Sequence, residues 1–144
     1  MWLHVYGALL LCRDTLLEVK LTWRGPLVVG PWLLKGFPKL RGMVIIADSV
    51  SVEAGVEHAC TLQSLHLDSH LYAVSVSIAS LPVSLTRLAL YNCRLSALPA
   101  AVSTLQQLTE FEVAASSFGA ASFSVLTSLT KLELLCLSNC HLAT

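Results

Sequence analysis

Apolar residues recur along this chain at a fixed spacing, which is clearest between Leu85 and Leu108. Within that stretch leucine stands at offsets 0, 3, 5 and 10, as Leu85, Leu88, Leu90 and Leu95. Offsets 3 and 5 lie two residues apart, which is the spacing of side chains on one face of a β-strand. The pattern therefore predicts a short strand, followed by a turn that brings one more apolar side chain back to the core.

The same spacing begins at six places, which are separated by 24, 22, 23, 23 and 24 residues. Of the 24 positions at offsets 0, 3, 5 and 10, 23 are apolar when Pro26 is counted as the miss. A composition that is 55% hydrophobic would fill about 13 of them by chance. A fixed period of this length indicates a fold built from stacked units. The six starts are Leu16, Leu40, Leu62, Leu85, Leu108 and Leu132.

The pattern LxxLxLxx(N/C)xL resembles the leucine-rich repeat (LRR) family, most clearly over residues 85–95 and 132–142. The resemblance implies an α/β solenoid of about six repeats of 22–24 residues. A curved parallel sheet would form its concave side, and loops, turns and short helices its convex side. One unit cannot bury its own apolar face, so neighbouring units must be stacked to make a core. Parallel strands also need long return connections, which the rest of each unit can supply.

The two ends of the chain do not show the full repeat. We predict an LRR domain over residues 16–144, preceded by an N-terminal segment over residues 1–15 that is a partial repeat, a makeshift cap or a targeting segment. Thr144 comes two residues after a strand-and-turn pattern, without the polar capping unit that soluble solenoids normally carry. We therefore expect a fragment of a longer LRR protein, which would self-associate edge to edge through its last strand.

Composition and charge exclude several classes of protein. Charged residues make up only 12% of the chain, so a folded core is expected instead of disorder. Nine basic and nine acidic residues balance, which gives no electrostatic reason to bind nucleic acid. The apolar run at residues 26–34 is far shorter than the roughly 20 residues of a membrane-spanning helix, so no membrane span is predicted. An odd cysteine count and the lack of a basic leader favour the cytoplasm, including the cytoskeleton or axoneme, over secretion.

No pattern in the chain is typical of catalysis or of a cofactor site. There is no GxSxG elbow, no triad spacing among the five histidines and no phosphate-binding glycine loop, so we predict neither an enzyme nor a cofactor. Cys136 and Cys140 stand close together, and His141 follows them. The repeat register, however, places Cys136 on the concave face and Cys140 towards the interior. Ligands that diverge cannot share a metal, so no metal site is predicted.

Offset 8 of each unit lies in the turn after the strand. In the LRR family this position usually holds Asn or Cys, whose side chain hydrogen-bonds the turn backbones of neighbouring units. Asp48 could act in the same way, whereas Arg24 does not suit it. The resemblance therefore implies a structural turn ladder of His70, Cys93, Ser116 and Cys140.

Offsets 2, 4, 6 and 7 should project into the hollow of the solenoid. Arg and Tyr, which are enriched at interaction hot spots, occur here in the fourth unit. The alternative is a set of solvated strand residues, including an Arg87–Glu110 ion pair worth less than about 1 kcal/mol. The predicted concave binding residues are His66, Asp68, Arg87, Tyr91, Asn92, Glu110 and Glu112.

These observations favour a non-catalytic protein–protein interaction module that presents a rigid concave LRR surface to another protein. Two alternatives stay open. The chain could be the substrate- or ligand-recognition segment of a larger signalling, ubiquitin-ligase or receptor protein, or it could be a cytoskeletal or axonemal structural element. Likeness of fold does not choose among them, because one fold hosts many functions.

Overall fold

A computed structural model describes residues 7–59, 61–69 and 76–143 of the chain. Six strands form one parallel sheet in the order β1-β2-β3-β5-β6-β8, and the short strand β4 adds a parallel pairing to the end of β2. Strands β7 and β9 form a second, two-stranded parallel sheet. The predicted α/β class with a parallel sheet is confirmed. The strands are β1 (Glu18–Val29), β2 (Gly42–Val52), β3 (Ser64–Ser69), β4 (Ser77–Ile78), β5 (Arg87–Tyr91), β6 (Glu110–Ala114), β7 (Ser117–Gly119), β8 (Leu134–Ser138) and β9 (His141–Ala143).

The register of the main sheet places residues of equal offset side by side. The first residues of its six strands lie 24, 22, 23, 23 and 24 positions apart, which are the intervals between the apolar patterns. Each of these first residues pairs with the next one along the sheet. The ladder they form is Glu18, Gly42, Ser64, Arg87, Glu110 and Leu134.

The core lies on one face of this sheet. Side chains at offsets 3 and 5 of β2, β3, β5 and β6 are almost fully buried, as the alternation of a strand requires. The connections cover the same face, since Leu33, Val56 and Val102 belong to the same apolar cluster. They contain the α-helix Pro31–Lys35 and the 3-10 helices Val56–His58, Ala100–Thr104 and Ala120–Ser128, while residues 7–10 are also helical. We call the opposite face of the sheet, at offsets 2, 4 and 6, the open face.

A bulge in β1 explains the one miss in the apolar pattern. The register between β1 and β2 shifts by one residue between Trp23 and Pro26. Gly25 lies in this bulge with a φ of 116°, which glycine adopts without steric cost. Its N–H donates a hydrogen bond of 2.6 Å to the Asp48 carboxylate. Because of the extra residue, Leu27 is buried in place of the exposed Pro26, so the apolar pattern predicts this core position one residue too early.

The third apolar pattern is described only in part. Its offset-10 position, Tyr72, lies outside the described residues, as does the predicted ladder residue His70. Strand β4 nevertheless continues the sheet beside the end of β2, where Ser77 pairs with Ser51. Val76 comes directly before this pair and is buried in the main cluster. Val76 therefore supplies an apolar contact at this end of the sheet.

The last strand of the sheet departs from the predicted burial. Leu135 occupies a core position in the pattern, yet 41% of its surface is exposed. Among the described residues no strand pairs with β8 on its outer side, and no residue of the helix Ala120–Ser128 is buried. Leu135 consequently has a covering layer on one side only. Within the described part of the chain, no helix is both long and apolar enough to cross a membrane.

Candidate functional site

The seven predicted binding residues come together on neighbouring strands. β3, β5 and β6 are successive strands of the sheet, and their side chains at offsets 2, 4 and 6 lie on the open face. Parallel strands lie about 4.8 Å apart, so side chains on adjacent strands can touch. Four contacts link the seven residues into one triplet and two pairs: Tyr91 with His66 and with Glu112, Asn92 with Asp68, and Arg87 with Glu110.

Tyr91 links the strands on either side of its own. Its ring packs against the ring of His66 with centroids 4.8 Å apart and an angle of 39° between the planes. Its hydroxyl donates a hydrogen bond to the Glu112 carboxylate on the other neighbouring strand. In the register, His66 and Glu112 both lie directly beside Ala89. The Tyr91 side chain therefore leans back over Ala89, which is only 6% exposed although it belongs to the open face.

Asn92 forms the second contact just after the end of β5. Its backbone φ is 54°, in the left-handed region that asparagine tolerates better than most residues. Its side-chain amide donates a hydrogen bond of 2.8 Å to the Asp68 carboxylate. The turn that ends β5 is thereby tied to the end of β3.

Arg87 and Glu110 form the predicted lateral ion pair. The Arg87 Nε and Nη2 atoms lie 2.6 and 2.5 Å from the same carboxylate oxygen of Glu110. The two residues are direct register partners, so this contact follows from the pairing of β5 with β6. Both side chains retain solvent exposure, and such a pair is worth less than about 1 kcal/mol. Its main effect is to neutralise one carboxylate of the open face.

Two groups of the site have shifted pKa values. Partial burial lowers the pKa of His66 below its usual value of 6.5, although the nearby Asp68 and Glu112 carboxylates oppose this shift. The hydrogen bond to Glu112 is the main cause that raises the pKa of Tyr91 to about 12. At neutral pH the site therefore combines a neutral imidazole with a phenol that keeps its proton.

The open face carries more negative than positive charge. Offsets 2, 4 and 6 of the described strands hold four carboxylates and two permanent cations, Lys20 and Arg87. Arg87 is engaged with Glu110. The carboxylates of Asp68 and Glu112 remain, each hydrogen-bonded by a neutral donor beside the His66–Tyr91 pair. This part of the face is suited to a positively charged group.

Two of the predicted ladder residues are cysteines that reach back to the preceding strand. The buried Cys93 thiol lies 3.7 Å from the Leu67 carbonyl oxygen at the end of β3. Burial is the main cause that raises the pKa of this thiol to about 12, so it is not a thiolate nucleophile at neutral pH. The Cys140 thiol lies 3.5 Å from the Val113 carbonyl oxygen of β6. Both thiols therefore contact backbone carbonyls of the preceding strand.

Oxygen side chains occupy two further positions of this turn. The buried Ser116 hydroxyl accepts a hydrogen bond of 3.3 Å from the Leu95 N–H of the preceding connection. Asp48 accepts the hydrogen bond from the β1 bulge, and its own carbonyl accepts one from the Ser69 hydroxyl. Each side chain thus connects one strand end with a neighbour. These contacts stabilise the carboxyl ends of the strands, where Asp68 and Asn92 also lie.

Cys136 lies apart from this ladder. Its thiol is 3.4 Å from the Ser138 hydroxyl on the open face, whereas Cys140 contacts a backbone carbonyl. Among the described residues, no three His, Cys, Asp or Glu side chains gather at one point in a way that could hold a metal ion.

Sequence reasoning missed the part that Ala89 plays in this site. The signal was a small residue at offset 4, flanked on both adjacent strands by polar residues and followed two positions later by tyrosine. A larger side chain at this position would occupy the space over which Tyr91 leans. The small side chain of Ala89 therefore makes room for the Tyr91 ring.

Comparison with known proteins does not assign this chain to a family. No protein-family model matches it, and no curated protein matches it either. Its function must therefore be inferred from the geometry and charge of the open face.

Proposed function

We propose that this chain is a leucine-rich-repeat solenoid whose open face is concave and binds another protein without catalysing a reaction. The parallel sheet with connections on one face supports this shape. Strands pack about 4.8 Å apart, whereas packed helices need about 8–10 Å. A sheet whose helical connections all lie on one side therefore bends away from them, which makes the open face the inner side of the curve.

The observation that carries the proposal is the network formed by His66, Tyr91 and Glu112. These side chains hold one another in place before any partner arrives, so binding would cost less conformational entropy than it does for free side chains. Tyrosine also provides a large and rigid contact area, which is a common feature of interaction hot spots. The ion pair of Arg87 with Glu110 extends the same surface towards the strand starts.

The charges of the face favour a basic segment as the partner. The Asp68 and Glu112 carboxylates flank an aromatic pair and can accept further hydrogen bonds. An arginine guanidinium can stack on an aromatic ring while it donates hydrogen bonds to a carboxylate. We propose an extended protein segment with an arginine that stacks on the Tyr91 ring and donates to the free acceptor positions of the Asp68 and Glu112 carboxylates, so that the hydrogen bond of Tyr91 to Glu112 is kept. A larger signalling, ubiquitin-ligase or receptor protein would use this face in the same way.

The direction of two pKa shifts argues against Tyr91 and Cys93 as catalytic nucleophiles. Tyr91 and Cys93 could serve as nucleophiles only after losing a proton, and both have pKa values raised to about 12. Catalytic nucleophiles usually show the opposite shift. The same hydrogen bond that holds the Tyr91 proton fixes the ring as a contact surface.

An affinity pull-down tests the proposal. The bait is the whole chain, and its partners are compared with those of a Glu112→Lys, Tyr91→Ala double variant, which lacks the carboxylate and the ring that would receive the arginine. Both substitutions lie on the open face, so we expect the specific partners to be lost and the far-ultraviolet circular dichroism spectrum to be kept. A Lys39→Glu, Gln106→Ala variant is the matched control, because both of its exposed sites lie in the connections. If the open-face variant retains the same partners as the control, the concave face is not the binding surface.

A further inference from the structure

A second surface with different chemistry lies at the carboxyl ends of β5, β6 and β8. The chain segments that come after these strands border an open groove of about 580 Å³. Pockets of this size accommodate small-molecule ligands, and the carboxyl ends of parallel strands are where α/β sheets commonly bind them. The polar residues that line the groove are Arg94, Ser96, Ser116, Ser117, Asn139 and His141.

The groove exists because the chain leaves one sheet and enters another at this point. After β6 and β8 the backbone passes through a left-handed residue, Ala115 and Asn139, with φ values of 54° and 52°. It then forms the second sheet, where Ser117 pairs with His141. The side chains of these two residues are thereby held one strand spacing apart at the groove wall.

Ala115 is an unusual residue for its backbone conformation. Asparagine holds the left-handed position at the end of β5 and of β8, as Asn92 and Asn139, because its side chain can hydrogen-bond locally. Alanine has no such compensation, and strained backbone of this kind is concentrated at functional sites. Ala115 lines the groove, where its methyl group takes up less volume than an asparagine side chain.

The groove lining supplies hydrogen-bond donors and positive charge. Arg94 contributes a guanidinium that is charged at all physiological pH values, and Asn139 contributes an amide. Ser96, Ser117 and His141 add hydroxyl and imidazole groups, and none of the described lining residues is a carboxylate. The charge here is thus opposite to that of the open face around Asp68 and Glu112.

We propose that this groove binds a phosphate ester. A guanidinium and neutral donors that line the same groove match the several acceptor oxygens of phosphate. The groove is larger than a phosphate group, so the carrier of the phosphate also enters it. That carrier is either a free small molecule or a phosphorylated side chain of a protein partner. The proposal does not depend on the function proposed for the open face, because the two surfaces share no residue.

Nuclear magnetic resonance titration of the whole chain with inorganic phosphate, at constant ionic strength, tests this site. We expect saturable shifts of the backbone amides of Arg94, Ser96, Ser117, Asn139 and His141. Arg94→Gln removes the permanent charge and should weaken binding about tenfold or more, as loss of a hydrogen bond to a charged group does. Arg13→Gln is the matched control, since Arg13 is an exposed arginine outside the groove, and it should titrate like the wild type.

A second pair of variants guards against an effect of Arg94→Gln on folding. Ser96→Asp places a carboxylate at the exposed rim of the groove and should abolish phosphate binding, whereas Ser124→Asp on the exposed helix Ala120–Ser128 should not. Shifts that are linear with phosphate, spread over the whole surface, or unchanged by Ser96→Asp would overturn the proposal. A phosphoserine peptide and ribose 5-phosphate, each compared with its unphosphorylated counterpart, distinguish the two carriers. Tighter binding of the peptide indicates a phosphorylated protein, and tighter binding of the sugar phosphate indicates a small molecule.

Discussion

The centre of the sheet and its last strand carry the same leucine spacing but bury it to different extents. Leu88, Phe111 and Leu135 occupy the same offset on β5, β6 and β8, and they are successive partners in the register. Leu88 and Phe111 have no exposed surface, whereas 41% of Leu135 is exposed. The three strands are each five residues long, so their length does not cause the difference.

The difference shows that the apolar pattern determines strand position and register, while neighbouring elements determine burial. β5 and β6 each have a paired strand on both sides, but β8 has one on only one side among the described residues. The connections repeat this contrast, since Val102 of Ala100–Thr104 is fully buried and Ala120–Ser128 buries no residue. A sheet of this kind therefore gains stability from the interior outwards, as stacked architectures do.

Truncation of the matched leucines should give the largest effect. Leu88→Ala removes a fully buried side chain and should reduce the free energy of unfolding by about 2–5 kcal/mol. Leu135→Ala removes a partly exposed side chain from a site that can relax, and should cost less than about 1.5 kcal/mol. Urea denaturation of both variants measures the difference. Equal costs would mean that the edge is as tightly packed as the centre.

Much of the sheet could be predicted from spacing alone, because the period of two along a strand fixes which side chains share a face. The predicted neighbours Arg87 and Glu110 pair because their strands are adjacent and in register. The bulge at Gly25 could not be placed, since one extra residue leaves the composition of the segment unchanged and only moves burial from Pro26 to Leu27.

The details of the candidate sites were less accessible to sequence reasoning. The contact between Tyr91 and Glu112 depends on the side chain leaning across Ala89, and offsets along a strand do not encode that direction. The groove depends on the left-handed backbone at Ala115, which an alanine gives no reason to expect. The residue pattern therefore predicts which side chains share the open face. The contacts among them depend on side-chain conformation and backbone angles, which the pattern does not contain.

Titration of Tyr91 tests whether the network of His66, Tyr91 and Glu112 is present in solution. The expected effect is smaller than that of the leucine truncations. The hydrogen bond to Glu112 is the main cause that raises the pKa of Tyr91 to about 12, from an ordinary value of 10.0. Glu112→Gln removes the negatively charged acceptor and should return this pKa towards 10.0, which is a change of up to about a hundredfold in the acid constant. Ultraviolet absorbance of tyrosinate, compared with a Tyr91→Phe variant, isolates the signal.

The matched control for that titration is Glu110→Gln, which removes a carboxylate from the same strand without touching the tyrosine hydrogen bond. It should leave the pKa of Tyr91 high. The raised pKa also means that the folded state keeps the proton longer than the unfolded state. The contribution to stability is therefore full below pH 10 and is lost as the pH rises towards about 12. A Tyr91 that titrates at its ordinary pKa in the wild type would show that the network is absent in solution.

The open side of β8 should make the chain self-associate through this edge. Leu134 and Leu135 expose 47% and 41% of their surfaces beside an edge whose backbone can accept another strand. Sedimentation velocity should show a weight-average coefficient that rises with protein concentration. Leu135→Lys places a charge at the contact and should weaken association at least about tenfold. Leu11→Lys, at a leucine that is also exposed but outside the sheet, should have no effect on association.

If the wild-type chain sediments as a monomer at every concentration, its exposed edge is not an association surface. The partial burial of Leu135 is then tolerated without a covering layer.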